Sequence, residues 1–165
     1  MTPEYFQTFA HYNRWANARL YDACAALPDG AYRQDRKAFF GSIHATLNHL
    51  LVGDRVWLGR FTGTDSGIKA LNEILFDDFA ALRRAREKED ARIQAYVDGC
   101  DGAKLAAPLQ FKSMDGTQST MKLAPVLGHF FNHQTHHRGQ VHAMLTQAAA
   151  AAPSLDLIAF LREAR

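Results

Sequence analysis

Four long segments of this chain repeat apolar residues at the spacing of an α-helix, and each is bounded by residues that start or stop helices. Phe6, Phe9, Leu20 and Leu27 recur after the start signal Thr2-Pro3 until Pro28-Asp29-Gly30 breaks the pattern, which predicts a first helix over about residues 3 to 27. Gly41-Ser42 can cap a second helix that carries Ile43, Leu47, Leu50, Leu51, Trp57, Leu58 and Phe61 and ends near Gly63. A third, over about 72 to 97, is built on Ile74, Leu75, Phe79, Leu82, Ile93 and Tyr96, with Gly99 after it. The fourth runs over about 122 to 147, where Pro125 is tolerable because it lies in the first turn. Between the last two, over 108 to 117, Asp115-Gly116 sits between short runs suited to strands and predicts a small hairpin. Pro153-Ser154 then restarts a short amphipathic piece over 155 to 161. The expectation is an all-α chain: a four-helix bundle with long connections, a small β-hairpin insert and a short C-terminal helix. At 165 residues it is expected to form a single domain over 1–165 that needs no disulfide to support its core.

Composition removes several function classes. A formal net charge of +2, with lysines and arginines mixed among acids as in 83–90, gives no basic stripe for nucleic acid. No segment approaches the roughly 20 apolar residues of a membrane span, and the first residues lack the basic and apolar runs of a secretion signal. Cys24 and Cys100 stand far apart without C-x-x-C spacing, which argues against a disulfide framework or a zinc ribbon. A cytoplasmic protein, free of nucleic acid and membrane, is expected.

The unusual residue is histidine. Of eight in the chain, His129, His133, His136 and His137 fall within the fourth helix, where residues four apart share a face. With His133 set at zero and about 100° per residue, the apolar residues of that helix centre near +80°, His137 falls near +40°, and His129 and His136 fall near −40° and −60°. The pair turned toward the core is therefore His133 and His137, which could chelate a metal. His129 and His136 face away from the core, and His142 faces roughly opposite His133. A third ligand has to come from a facing helix, as in other bundle metal sites. The second helix offers His44 and His49, which lie at similar angles on opposite sides of its apolar stripe, so phase leaves that choice open. Asp54 and Asn13 fall within apolar stripes, where a buried polar group needs a partner. A hydrogen bond between helices is the favoured role for each.

The segment 49–58 (HLLVGDRVWL) and the segment 133–140 (HQTHHRGQ) resemble the two signature segments of the DinB / YfiT-like superfamily. The early 12–17 (YNRWAN) and the closing 153–158 (PSLDLI) resemble it too, so the likeness spans nearly the whole chain. The resemblance implies a four-helix bundle, often a homodimer, in which His49, His133 and His137 hold nickel, zinc or iron. It also implies activities on small molecules that include thiol-dependent S-transfer and maleylpyruvate isomerisation with mycothiol, bacillithiol or glutathione.

Three histidines would leave a coordination position for water or substrate, whereas structural zinc sites are usually closed by four protein ligands. A protease of the H-E-x-x-H type is disfavoured because Gln134 stands where the general base would be. The leading expectation is a metal-dependent enzyme in which a low-molecular-weight thiol attacks a small electrophile, with Arg138 or a nearby basic group as a candidate to bind a carboxylate. The rivals are a metal-dependent hydrolase and a non-catalytic protein that binds a metal or small ligand in a stress response.

Overall fold

Short polar side chains close the first turns of three of the four long helices. In the computed structural model, which describes residues 1–163, Thr2 Oγ1 accepts the Tyr5 N–H at 3.3 Å and opens α1 (Pro3–Ala25). A short α2 (Asp29–Arg33) follows, and Ser42 Oγ accepts the Ala45 N–H at 3.1 Å to open α3 (Ile43–Thr62). Gly63, at φ 70°, ends α3 in the left-handed conformation that glycine adopts without strain. Asp78 Oδ1 accepts the Ala81 N–H at 2.7 Å and opens α4 (Phe79–Asp98). After α5 (Gly102–Ala106), β1 (Pro108–Lys112) and β2 (Gln118–Lys122) form an antiparallel hairpin in which Pro108 faces Lys122 and Lys112 faces Gln118. The hairpin leads directly into α6 (Leu123–Gln147), with Pro125 in its first turn, and α7 (Leu157–Glu163) closes the described chain. The last two residues of the expected 1–165 span lie outside the described residues.

One boundary departs from the periodicity. The third long helix starts at Phe79 instead of near Asn72, and residues 64–78 form an irregular strap laid along α3. Asn48 of α3 supplies the reason: its Oδ1 accepts the Phe76 N–H at 3.0 Å and its Nδ2 donates to the Phe76 carbonyl at 3.1 Å. The strap thereby satisfies its backbone on a side chain instead of on a helical turn. Leu75 and Phe76 still pack on the core, so the apolar signal there reports burial without helicity.

The helices pack as a ring in which α1 and α3 each touch both α4 and α6. The chain must therefore cross a diagonal twice, from α1 to α3 and from α4 to α6, and these crossings carry α2 and the α5-hairpin unit. Two apolar clusters fill the ring. One contains Phe6, Leu58, Phe61, Ile93, Val97, Leu127 and Phe130; the other contains Leu20, Tyr21, Leu47, Leu51, Leu82, Val141 and Leu145. Between them every long helix contributes buried polar residues at one level: Asn13 and Asn17, Asp54, then Arg86, Glu89 and Asp90, then Gln134 and Arg138. The Arg86 Nη1 donates to Asp54 Oδ2 at 2.5 Å, Gln134 Nε2 donates to Asp54 Oδ1, and Arg86 Nη2 lies 3.0 Å from Asp90 Oδ1. Asn13 and Asn17 donate to Asp90 at 3.2 and 2.9 Å, and both of their carbonyl oxygens accept from Arg138. At the surface, Trp15 Nε1 donates to Glu163 Oε2 at 2.7 Å and holds α7 on α1.

Removing one member of a buried ion pair strands the other's charge, so Asp54→Ala should destabilise the fold by about 3–5 kcal/mol in chemical denaturation. Glu163→Ala, which breaks contacts only at the exposed edge, should cost under about 1 kcal/mol.

Candidate metal centre

Residues 133 and 137 stand one turn apart on α6 and face residue 49 near the middle of α3, so three imidazoles meet in the groove between these helices. The His49 Nε2 lies 3.3 Å from His133 Nε2 and 3.2 Å from His137 Nε2, and the three nitrogens all fall within 4.8 Å of one another. The other ring nitrogens fix how two of them present. His49 Nδ1 donates to the Leu71 carbonyl of the strap at 2.7 Å, and His137 Nδ1 donates to Gln140 Oε1 at 2.8 Å. With Nδ1–H committed, each of these rings turns an Nε2 lone pair inward. Convergent lone pairs repel unless a cation stands among them. A tetrahedral ion bound at about 2.0–2.1 Å spaces its ligand nitrogens about 3.3 Å apart, so the donor set fits a small divalent transition metal.

Charge on the imidazoles is disfavoured in the same place. Burial pulls His133 down to about 3, helped by the positive charges His137 and His49 would carry, and burial pulls His137 down to about 4 against the opposing Gln140 bond. His49 is lowered by burial as well, with the Leu71 bond acting the other way. All three are neutral at pH 7, the form that ligates.

The walls come from four places. Phe40 stacks on His49 with ring centroids 3.8 Å apart. Gly53, one turn after His49, lies against the His133 ring: a Cβ there would stand 3.0 Å from His133 Cε1, so glycine lets α6 bring that ring onto α3. Gln140 links outward, its Nε2 donating to His136 Nε2 at 3.1 Å. Leu71 of the strap stands between two cavities that both reach His49. One, of about 420 Å³, is bounded by Trp57, Arg60, His129, His133 and the hairpin tip at 113–115. The other, of about 670 Å³, is bounded by Phe39, Phe40, Asn72, His136, His137 and Gln140.

Phase left His44 and His49 undecided, and the fold separates them. His44 is buried elsewhere, with its Nε2 3.2 Å from the Phe76 carbonyl and its ring against Tyr32. His129 and His136 are exposed, as their phase requires, yet each lines one of the cavities, and His142 is partly exposed. Asn13 and Asp54 take the structural role expected of them in the buried layer; burial pushes the Asp54 carboxyl up to about 6 even with Arg86 acting against it. Arg138, named above as a candidate carboxylate binder, is instead buried on Asn13, Asn17 and the Tyr12 ring and reaches neither cavity. Sequence reasoning missed Asn48, Gln140 and Gln134. The i,i+3 spacing of His137 and Gln140 was a readable signal for the second; nothing local marked the other two.

Comparison with known proteins agrees in extent. The chain matches the DinB family over residues 1–165. A protein of Bacillus subtilis (strain 168) named Protein DinB is 32% identical over 150 residues, which are 88% of this chain and 87% of that protein.

The depressed imidazoles carry a pH signature. Between their folded values of about 3 and 4 and the ordinary histidine value of 6.5, the unfolded chain binds more protons than the folded one. Stability of the metal-free protein should therefore be fully present above pH 6.5 and decline as pH falls toward 4. Urea midpoints measured across that range in chelator should show the decline, and His133→Ala should make it shallower; an unchanged slope would refute the assignment.

Proposed function

The chain belongs to the DinB family, and from that premise we propose that His49, His133 and His137 hold one divalent transition metal, nickel or zinc or else iron, in an open site that serves a thiol-dependent transferase or isomerase. The observation that carries the reading is the pair of inward Nε2 lone pairs fixed by outward Nδ1–H bonds, within 3.2–3.3 Å of a neighbouring ring nitrogen. A closed structural site would need a fourth protein ligand, and among the described residues no carboxylate or cysteine joins the three imidazoles.

When bound there, the ion would supply the positive charge that lowers the pKa of a coordinating thiol and makes it nucleophilic at neutral pH. The residues of the chain do the rest. The strap carbonyl and Gln140 hold two rings in the ligating tautomer, the Phe40 ring excludes water from one face of His49, and the two cavities give a small electrophile and a thiol separate approaches to one point. Neutral imidazoles leave the charge of the ion uncompensated, which favours an anionic sulfur donor over water. A homodimer, a single domain over 1–165 and a cytoplasmic setting belong to the same reading.

Elemental analysis of purified variants tests the ligands. His49→Ala, His133→Ala and His137→Ala should each lose most of the bound metal, at least about tenfold in affinity, whereas His44→Ala, His129→Ala and His136→Ala should keep it. Full occupancy in His137→Ala would remove the proposed chelate.

The open position is tested in a cobalt-substituted sample. Glutathione, mycothiol or bacillithiol should produce a sulfur-to-metal charge-transfer band and release a proton. A spectrum that answers to hydroxide but to no thiol would favour hydrolysis, and one that answers to nothing would make the metal structural.

A further inference from the structure

The cavity on the Trp57 side contains a cation that pairs with no carboxylate among the described residues. Arg60, near the end of α3, lies with its Cζ 4.4 Å from the Trp57 ring centroid and 5.6 Å from that of Phe111, so the guanidinium rests against a corner formed by an α3 aromatic and a hairpin aromatic. Trp57 is itself braced edge-on by Phe111 and by His129, each 5.3 Å away. Among the described residues, no carboxylate and no carbonyl bonds to Arg60, and burial is the sole influence on it. Asp115 lines the same cavity from the hairpin tip, but its Oδ1 turns back to accept the Thr117 N–H at 2.9 Å. Other sheltered arginines of this protein have hydrogen-bonding partners: Arg86 pairs with Asp54, Arg55 with Glu89, and Arg138 donates to Asn13 and Asn17. A partly buried guanidinium that rests on aromatic rings and leaves its N–H donors unused is prepared for a planar, bidentate anion.

Resting on the open-metal reading above, we propose that Arg60 binds a carboxylate of the same small molecule whose donor atom reaches the three-histidine centre. His49 and His133 line the cavity with Arg60, which places both ends of such a molecule in one space of about 420 Å³. A carboxylate is favoured over a phosphate because Arg60 is the only lysine or arginine lining the cavity among the described residues, and the Asp115 carboxylate in the same lining opposes a second negative charge. The opposite cavity, walled by Phe39 and Phe40, has no arginine or lysine among the described residues and would not make this distinction. Arg60 is in this reading a specificity residue: it selects which molecule reaches the centre and takes no part in holding the metal.

The test compares 3-mercaptopropionate with 2-mercaptoethanol on cobalt-loaded protein, following the charge-transfer band. Wild type should bind the acid at least about tenfold more tightly than the neutral thiol, the effect expected of one charge-assisted bidentate bond. Arg60→Gln should erase the preference with unchanged metal content, Arg60→Lys should keep part of it, and Asp115→Asn should leave it intact. Inorganic phosphate should not displace the acid; if it does at matched concentration, the assignment to a carboxylate is wrong. Equal affinity for both thiols in wild type, each with a normal band, overturns the Arg60 subsite and leaves the open metal standing. If neither thiol gives a band, the open-metal reading fails, and the subsite is then read from Trp57 fluorescence in a Trp15→Phe background. A response to 3-mercaptopropionate that Arg60→Gln abolishes supports the subsite; no response overturns it.

Discussion

The Asp54 carboxylate is held from two sides, by Arg86 of α4 and by the Gln134 amide of α6, and the register of the bundle depends on that grip. Taking these charges out of water is costly, and the network regains the cost only when its members meet in one geometry. Apolar side chains above and below would tolerate a slide of one helix along another far better than these groups can. The layer fixes α3 against α6, and the histidines follow. His49 and Gly53 form an i,i+4 pair facing the groove, while Leu50 and Asp54, one position on, form the pair facing inward. On α6 the same duplication appears: His133 and His137 face the groove, and Gln134 and Arg138 face the buried layer. Each helix thus carries a site face and a locking face about 100° apart, and setting one sets the other.

That arrangement explains what could be read in the residues alone. The four long helices, the hairpin at Asp115-Gly116 and the inward phase of His133 and His137 all follow from local periodicity, caps and turns. The start of α4 did not, because Leu75 and Phe76 are partly buried in an extended strap, where the Phe76 backbone is satisfied by Asn48, a residue 28 positions away. The buried layer was half visible. Asp54 and Asn13 interrupt apolar stripes and so declare themselves, whereas Gln134 and Arg138 sit beside histidines in a stretch that looks like solvated surface. Arg138 was accordingly mistaken for a group that could meet a ligand. His44 and His49 each meet a strap carbonyl, at 76 and 71, and what separates them is that only His49 meets His133 and His137 of α6, which no property of helix phase encodes.

The groove between α3 and α6 is closed by side chains only in part. Phe40 covers one face of His49, the hairpin tip stands over the Trp57 side, and Leu71 divides the space between them. The two openings differ in chemistry, one walled by exposed and half-buried phenylalanines and the other by an aromatic-braced guanidinium. In the proposed thiol-dependent function, two dissimilar routes would give the thiol and its partner separate approaches to the three histidines.

The contact between His49 and the strap is made by the backbone carbonyl of Leu71, not by its side chain. Any residue that keeps the local backbone path presents the same oxygen to the imidazole. Residue 71, meanwhile, lines both cavities, and its leucine is exposed. Orientation of the imidazole and shape of the entrances are therefore controlled by different atoms of one residue. Mutation can widen, narrow or re-polarise both entrances at this position without passing through a variant whose centre is misaligned, which makes the strap a place where such a scaffold could acquire new substrates by single substitutions.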